Sequence, residues 1–212
     1  MRALDRAIGL AVPPFCWACG GSSRPRDPLC LGCRSELRWL DRQPVELAGL
    51  EVWAPVAYDG PARALVRGLK FRGAAGLAAT MAAQIAACAP PGLFGPPAVL
   101  VPVPIPARRA RVRGFNQAER IAAALARRTG MRVVDCLRRS GGGRQVGRGR
   151  SERLLALEGE VETRRGAAIP ETVVLVDDVA TTGATLAACA AVLHDSGSDC
   201  VLGVAYALAL GR

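Results

Sequence analysis

Histidine, lysine and aromatic side chains are scarce in this 212-residue chain. The one histidine, His194, falls near the expected C-terminus of a helix, where it reads as a surface residue on the dipole's negative end rather than a catalyst. Aromatics make up 4% of the chain, so stacking platforms for single-stranded nucleic acid are few. Long apolar runs are missing too: none approaches the roughly 20 residues of a membrane helix, which excludes an inserted, spanning protein. The N-terminal piece Ile8–Val12 lies between Arg2, Arg6 and Pro13-Pro14 and is too short for a signal-peptide core. Leu4, Ile8 and Ala11 share one helical face instead and read as a short docking helix. A soluble cytoplasmic protein is expected.

Arginine is abundant, and it is unevenly placed. Of 28 basic residues only Lys70 is lysine, against 18 acids, for a net charge of +10. Residues 107–165 hold 16 Arg and 6 acids, a net of +10, while the remainder holds 12 of each sign. The whole excess sits in one stretch and predicts an anionic partner, either nucleic acid or a phosphorylated metabolite. Hydrophobic residues at 50% rule out wholesale disorder and support a real core.

Two zones follow from the patterning: a module over residues 1–45 and a domain over 46–212. In the first, a short helix is expected around Cys33–Leu40. In the second, strands are expected at Glu51–Tyr58, Ala98–Val103, Met131–Leu137, Val173–Val176 and Cys200–Leu208. Helices are expected at Ala62–Leu69 and Leu77–Cys88, and around Ala118–Ala126 and Leu186–Leu193. Arg138–Arg150, with Gly141-Gly142-Gly143, has the composition of a mobile loop. Apolar strands alternating with helices argue for an α/β fold, a parallel sheet covered on both faces.

The most informative stretch is VVLVDDVATTGATL, Val173–Leu186. An apolar strand ends in Asp177 and Asp178, and a Thr/Gly-rich turn then leads into a helix. Such a turn aims backbone N–H groups and a helix N-terminus at one spot, which suits a phosphate. Thr181, Thr182 and Thr185 add hydroxyls, and Gly183 lets the chain bend closely around an anion. The two carboxylates suit sugar hydroxyls or a divalent cation. The Gly-Lys-Ser/Thr signature of a Walker loop and the GxGxxG pattern are both absent.

Cys16-x-x-Cys19 and Cys30-x-x-Cys33 match a zinc site of two knuckles, with Gly20 and Gly32 fitting tight turns. Four thiolates leave no open position, so a bound zinc would be structural. Two disulfides are the rival pairing of the same residues. Cys88, Cys136, Cys189 and Cys200 lie singly in apolar segments and read as small buried hydrophobes.

The Val173–Leu186 stretch resembles the phosphoribosyl-diphosphate (PRPP) motif of type I phosphoribosyltransferases. The order VPVP, RxRGFNQAE, RQVG and VLVDDVATTGAT after a four-cysteine module looks like the ComF (competence protein F, GntX-like) family, as does Leu69-Lys70-Phe71-Arg72-Gly73. This resemblance implies a type I phosphoribosyltransferase-like sheet with an N-terminal zinc finger. It implies that Asp177 and Asp178 hold the ribose hydroxyls while Ala180, Thr181, Thr182, Gly183, Ala184 and Thr185 hold the 5′-phosphate, with Val179 also in the PRPP-binding set. Lys70 and Arg113 would face the diphosphate, with Mg²⁺ accompanying PRPP, so that Asp177, Asp178 and Lys70 are the expected catalytic set. Thr181 stands where purine-salvage members carry an acid base, which disfavours hypoxanthine or guanine as acceptor. The expected activity is transfer of a phosphoribosyl group to an acceptor the sequence does not name. The alternative is a non-catalytic factor associated with single-stranded DNA and competence, its zinc finger contacting a helicase partner.

Overall fold

The computed structural model describes residues 14–71, 74–139 and 161–211. The expectations at Leu4–Ala11, Arg72-Gly73, Gly141–Gly143 and the RQVG motif lie outside these residues. In chain order the elements are helix α1 (Leu31–Ser35), strands β1 (Val45–Leu47), β2 (Leu50–Trp53) and β3 (Val56–Ala57), helices α2 (Gly60–Phe71) and α3 (Leu77–Cys88), and strand β4 (Val99–Pro102). There follow helices α4 (Ala107–Arg113) and α5 (Gln117–Thr129), strands β5 (Leu137–Arg139), β6 (Val161–Thr163) and β7 (Thr172–Ala180), helix α6 (Ala184–Asp195) and strand β8 (Cys200–Leu208).

The main sheet runs β1-β2-β8-β7-β4, with β3 also pairing β8. Every pairing is parallel except the β1–β2 hairpin. Unbroken apolar runs form β7 and β4 because both faces of these strands are covered. On one face Leu65 and Leu69 of α2, Met81 and Ile85 of α3, and Ile121 and Leu125 of α5 pack with Val174, Val176 and Val204. On the other, Leu186, Cys189 and Leu193 of α6 pack with Val173, Leu175, Val99 and Val101. The architecture is α/β, as expected, with a four-cysteine cluster at its N-terminal end.

Several boundaries differ from expectation, each for a pairing reason. The strand expected at Glu51–Tyr58 is split at Pro55, which has no N–H to give the ladder; β2 and β3 meet β8 separately. Met131–Leu137 is not a strand. Val133 makes a single parallel bridge to Leu100, and the strand begins only at Leu137, paired antiparallel with Val161–Thr163. Arg138 and Arg139 therefore belong to a strand rather than to a loop. Strand β7 does not stop at Val176: parallel pairing with β8 extends to Asp177↔Ala205 and, after skipping Asp178, resumes at Val179↔Ala207 and Ala180↔Leu208. Helix α1 ends at Ser35, well short of Leu40, whose N–H is taken by Pro55 O at 2.9 Å. Gly32 lies inside α1 rather than in a turn. Cys200 is exposed and Cys88 half-buried, so only Cys136 and Cys189 of the four single cysteines are buried.

Cys16, Leu29, Cys33 and Leu37 belong to the same apolar cluster as α2 and α3, so the cysteine module shares the domain's core. Gly68 lies at this seam. A Cβ there would lie 2.7 Å from Trp17 Cε3 and 2.8 Å from Leu77 Cδ1. Replacing a mid-helix glycine by alanine should gain about 0.5–1 kcal/mol from backbone entropy, but overpacking costs roughly 1–3 kcal/mol. Gly68→Ala is therefore expected to lower stability in a urea melt; a stabilised variant would show that Trp17 is free to move.

Candidate functional site

The C-terminal ends of β7 and β4 meet above the sheet. Val103 N–H donates to Val176 O at 2.9 Å, so the chain leaving β4 lies directly beside Asp177. From β7 the chain turns through Thr181 and Thr182, both exposed, into α6 at Ala184. The first N–H groups of that helix have no intrahelical acceptor, an arrangement that favours negative charge, and the Ala184 N–H is taken by Thr182 Oγ1 at 3.4 Å. Asp177 and Val179–Leu186 line a concavity of about 30 Å³, a surface that would contact one side of a phosphate rather than enclose it.

Gly183 is required here twice over. Its φ of +78° is costly for any residue with a Cβ, and such a Cβ would strike Leu47 Cβ and come 2.9 Å from Leu47 O. The β1–β2 hairpin, turning through Ala48 (φ 51°) and Gly49 (φ 80°), thus braces the loop from below. Nothing in the spacing of the motif points to Leu47; only the fold brings it there.

Strand alternation separates the two acids. Asp177 belongs to the loop concavity on the α6 side, and its Oδ1 accepts the Asp178 N–H at 2.7 Å. Asp178 is buried, 5% exposed, and pairs through Oδ2 with Lys70 Nζ at 2.9 Å. Lys70 lies in the last turn of α2, so the lone lysine of the chain meets the acid on the α2 side of β7. Burial first, and the adjacent Asp178 charge second, push Asp177 up to about 8. Arg113 comes near the same end of α2, with its guanidinium 5.2 Å from the Phe71 ring centroid. The structure thus groups Lys70, Asp178 and Arg113 around the α2 terminus, and Asp177 with the 179–185 turn, on the two sides of one strand end.

The basic stretch resolves into distinct pieces. Arg108, Arg109 and Arg111 are exposed on α4, a helix with no buried residue, closed by Gly114. Asn116 then caps α5. Its Oδ1 accepts the Ala118 N–H at 3.0 Å, and its Nδ2 donates to Val103 O at 2.9 Å, tying this helix start to the end of β4. Beside it lies a cavity of about 330 Å³ lined by Arg138, Arg139, Arg164, Phe115, Asn116 and Glu119. Sequence reasoning did not single out these three arginines. Their only signal was membership of the charged stretch, since the β5–β6 pairing that gathers them spans residues far apart in sequence. Arg138 pairs with Glu162 at 3.0 Å and Arg164 with Asp135 at 2.9 Å, which presents the guanidinia as a held array.

The four sulfurs of Cys16, Cys19, Cys30 and Cys33 lie within 4.8 Å of one another. Cys19 and Cys30 Sγ are 3.8 Å apart, about the edge of a tetrahedron with roughly 2.3 Å metal–sulfur bonds and too long for a disulfide. Cys30 Sγ also accepts the Cys33 N–H at 3.4 Å as the cap of α1. At Cys16 burial opposes ionisation, but the N–H groups of Cys19, Cys30 and Ala18 outweigh it and bring the thiol to about 6. The cluster is at metal-binding distance.

No family model matches the chain. Competence protein ComFC of Bacillus subtilis (strain 168) is 27% identical over 199 residues, covering 82% of this chain and 81% of that protein. The chain is thus similar to ComFC over most of its length, in agreement with the motif resemblance. Among solved structures, a hypoxanthine phosphoribosyltransferase from Staphylococcus aureus aligns over 63% of this chain and 62% of its own, at 16% identity and TM-score 0.35. One from Trypanosoma cruzi aligns over 68% of this chain and 65% of its own, at 15% identity and TM-score 0.33. The chain spans less than two thirds of either enzyme, and its α/β assignment rests on strand order and helix placement.

Removing Lys70 alone leaves a buried carboxylate unpaired. Lys70→Met should cost about 3 kcal/mol, the low end for a buried pair because the lysine side chain is 23% exposed. Lys70→Met/Asp178→Asn should cost less than the sum of Lys70→Met and Asp178→Asn in the same melts; a cost equal to that sum would show that the pair is not coupled. Asp177 binds its proton more tightly in the fold, near 8, than in the unfolded chain, near about 4. Stability should therefore fall as pH rises between these values and level off above, and Asp177→Asn should flatten the slope.

Proposed function

We propose that the protein binds PRPP across the ends of β7 and β4 and transfers its phosphoribosyl group to an acceptor, in a competence-related role like the one ComFC is named for. The observation that carries this reading is the strand–turn–helix of β7 and α6, with an aspartate at its base and an arginine-lined cavity beside it. The 5′-phosphate is held by the N–H groups and hydroxyls of the 181–185 turn. Asp177, on the same side, accepts from the ribose hydroxyls. Asp178 acts from the opposite side by holding the Lys70 ammonium at the strand end. Breaking the C1–O bond sends its electron pair to the diphosphate and leaves positive character on the ribose. The acceptor's lone pair then closes the new bond at C1. Arginines and Lys70 stabilise the departing charge, and the positioning of both reactants lowers the barrier further.

Magnesium fits this site as part of the ligand, not as a resident of two carboxylates. Asp177 and Asp178 occupy opposite faces of β7, so they do not converge on one ion, whereas Mg²⁺ is commonly held through substrate phosphates. When bound it would neutralise diphosphate charge. The four-cysteine cluster holds a structural zinc, supported by its sulfur spacing and by the absence of a fifth position.

A second reading, backbone binding of single-stranded DNA, is favoured by α4, whose arginines face solvent with none of its residues buried. A helicase partner at the cysteine module and a cytoplasmic location belong to the same picture. Among the described residues no helix is long and apolar enough to cross a membrane.

Calorimetry with PRPP and Mg²⁺ should show saturable binding that Asp177→Asn weakens at least tenfold; no heat with the native protein would end the PRPP reading. Metal analysis of the purified chain should give one zinc per molecule. Cys33→Ser should lose it and lower the melting temperature, because Cys33 is buried in the core shared with α2.

A further inference from the structure

We propose that the cavity between the cysteine module and α2 binds a single nucleotide, its base against Trp17 and Phe71 and its phosphate on Arg67. The cavity holds about 300 Å³ and is lined by Trp17 and Ala18 of the first knuckle and by Ala64, Arg67, Gly68 and Phe71 of α2. These four α2 residues follow i, i+3, i+4, i+7 spacing and form one stripe of the helix. Gly68 lets the Trp17 ring lie against the helix backbone, so the indole wall is held in place.

Aromatic rings are rationed in this chain, and three of nine gather here. Phe71 is 69% exposed although it ends a well-packed helix, and the Arg113 guanidinium lies 5.2 Å from its ring centroid. Behind Trp17 the Phe15 ring sits 5.0 Å away, tilted by 43°. Arginines thus alternate with rings along the seam, and no carboxylate lines the cavity. An aliphatic or peptide ligand would use the apolar wall and leave the guanidinium unmatched. A base with a phosphate uses both: its flat face stacks on any aromatic ring, and its phosphate accepts paired N–H groups from arginine. The volume admits one nucleotide unit.

The site is separate from the 179–186 concavity, with which it shares no lining residue. Lys70 adjoins Phe71 in sequence but projects from a different face of α2, toward Asp178. The inference therefore rests on a cavity of its own; Arg113, which stacks on Phe71 and is also assigned to the diphosphate, does not line it.

The test uses the full-length, zinc-loaded protein and dAMP as probe. Tryptophan emission should quench saturably with dAMP, and Trp17→Phe should abolish that part of the signal. Phe71→Leu and Arg67→Gln should each weaken dAMP binding at least tenfold in calorimetry while circular dichroism stays native. Ribose 5-phosphate, which lacks a base, should leave the Trp17 signal unchanged, and Asp177→Asn should leave dAMP binding unchanged. The proposal is overturned if dAMP gives no saturable quench, if ribose 5-phosphate quenches equally, or if the Phe71 and Arg67 variants bind as the native protein does. A response to oligo(dT) without one to dAMP overturns it equally, in favour of strand binding.

Discussion

The β7 strand carries parallel pairing with β8 past its apolar run to Asp177, skips Asp178, and resumes at Val179 and Ala180, and the rest of the site depends on that extension. Because the strand runs on past Val176, Asp177 and Asp178 follow the alternation of the residues before them instead of sharing a loop, and the Asp178 N–H turns to Asp177 Oδ1. One carboxylate is thereby committed to the turn and α6, the other to Lys70 and α2. Burying Asp178 is tolerable only because the Lys70 ammonium is 2.9 Å away, so the lysine's position follows from the strand. A compact ammonium on a flexible stem suits a single buried carboxylate oxygen better than the planar fork of arginine would. That gives a physical reason for the one lysine among 28 basic residues to stand at this place.

The turn after β7 is in turn held from outside the motif. Leu47 against Gly183 makes the β1–β2 hairpin a brace, and Asn116 binding Val103 O fixes the neighbouring strand end. Both are contacts with an element distant in sequence, and they hold the turn together with one bond of its own, the Ala184 N–H donated to Thr182 Oγ1 at 3.4 Å. Thr181 and Thr182 remain exposed.

Much of this was legible before the structure. Helix α3 and strand β8 coincide with the apolar segments Leu77–Cys88 and Cys200–Leu208, since burial on a continuous face leaves a strong periodic trace. The cysteine spacing indicated a sulfur cluster at metal-binding distance. What stayed hidden was long-range pairing. Leu137–Arg139 needs Val161–Thr163 as partner, so the local pattern suggested a strand beginning at Met131 rather than at Leu137. The facing of the acids was hidden by a related cause: ending the strand at Val176 placed them in a loop, where alternation has no meaning. Leu47 and the arginine array left no local signal at all.

The placement of charge then follows from the same topology. A +10 excess confined to residues 107–165 could have coated a surface, and α4 does present arginines to solvent. Arg138, Arg139 and Arg164, however, are drawn by the antiparallel β5–β6 pairing to the cavity beside the β4 end, one hydrogen bond from the residue preceding Asp177. Arg113 is drawn to Phe71 at the opposite side. Cations therefore approach the strand ends from two directions while acids occupy the strand between them. Arg138 and Arg164 are paired with Glu162 and Asp135, and Lys70 with Asp178, so these cations are held in place by acids of the fold itself. An anion seated on the 181–185 turn would meet the helix N–H groups with this held rim beside it, which makes a phosphate compound a better match to the rim than a neutral metabolite.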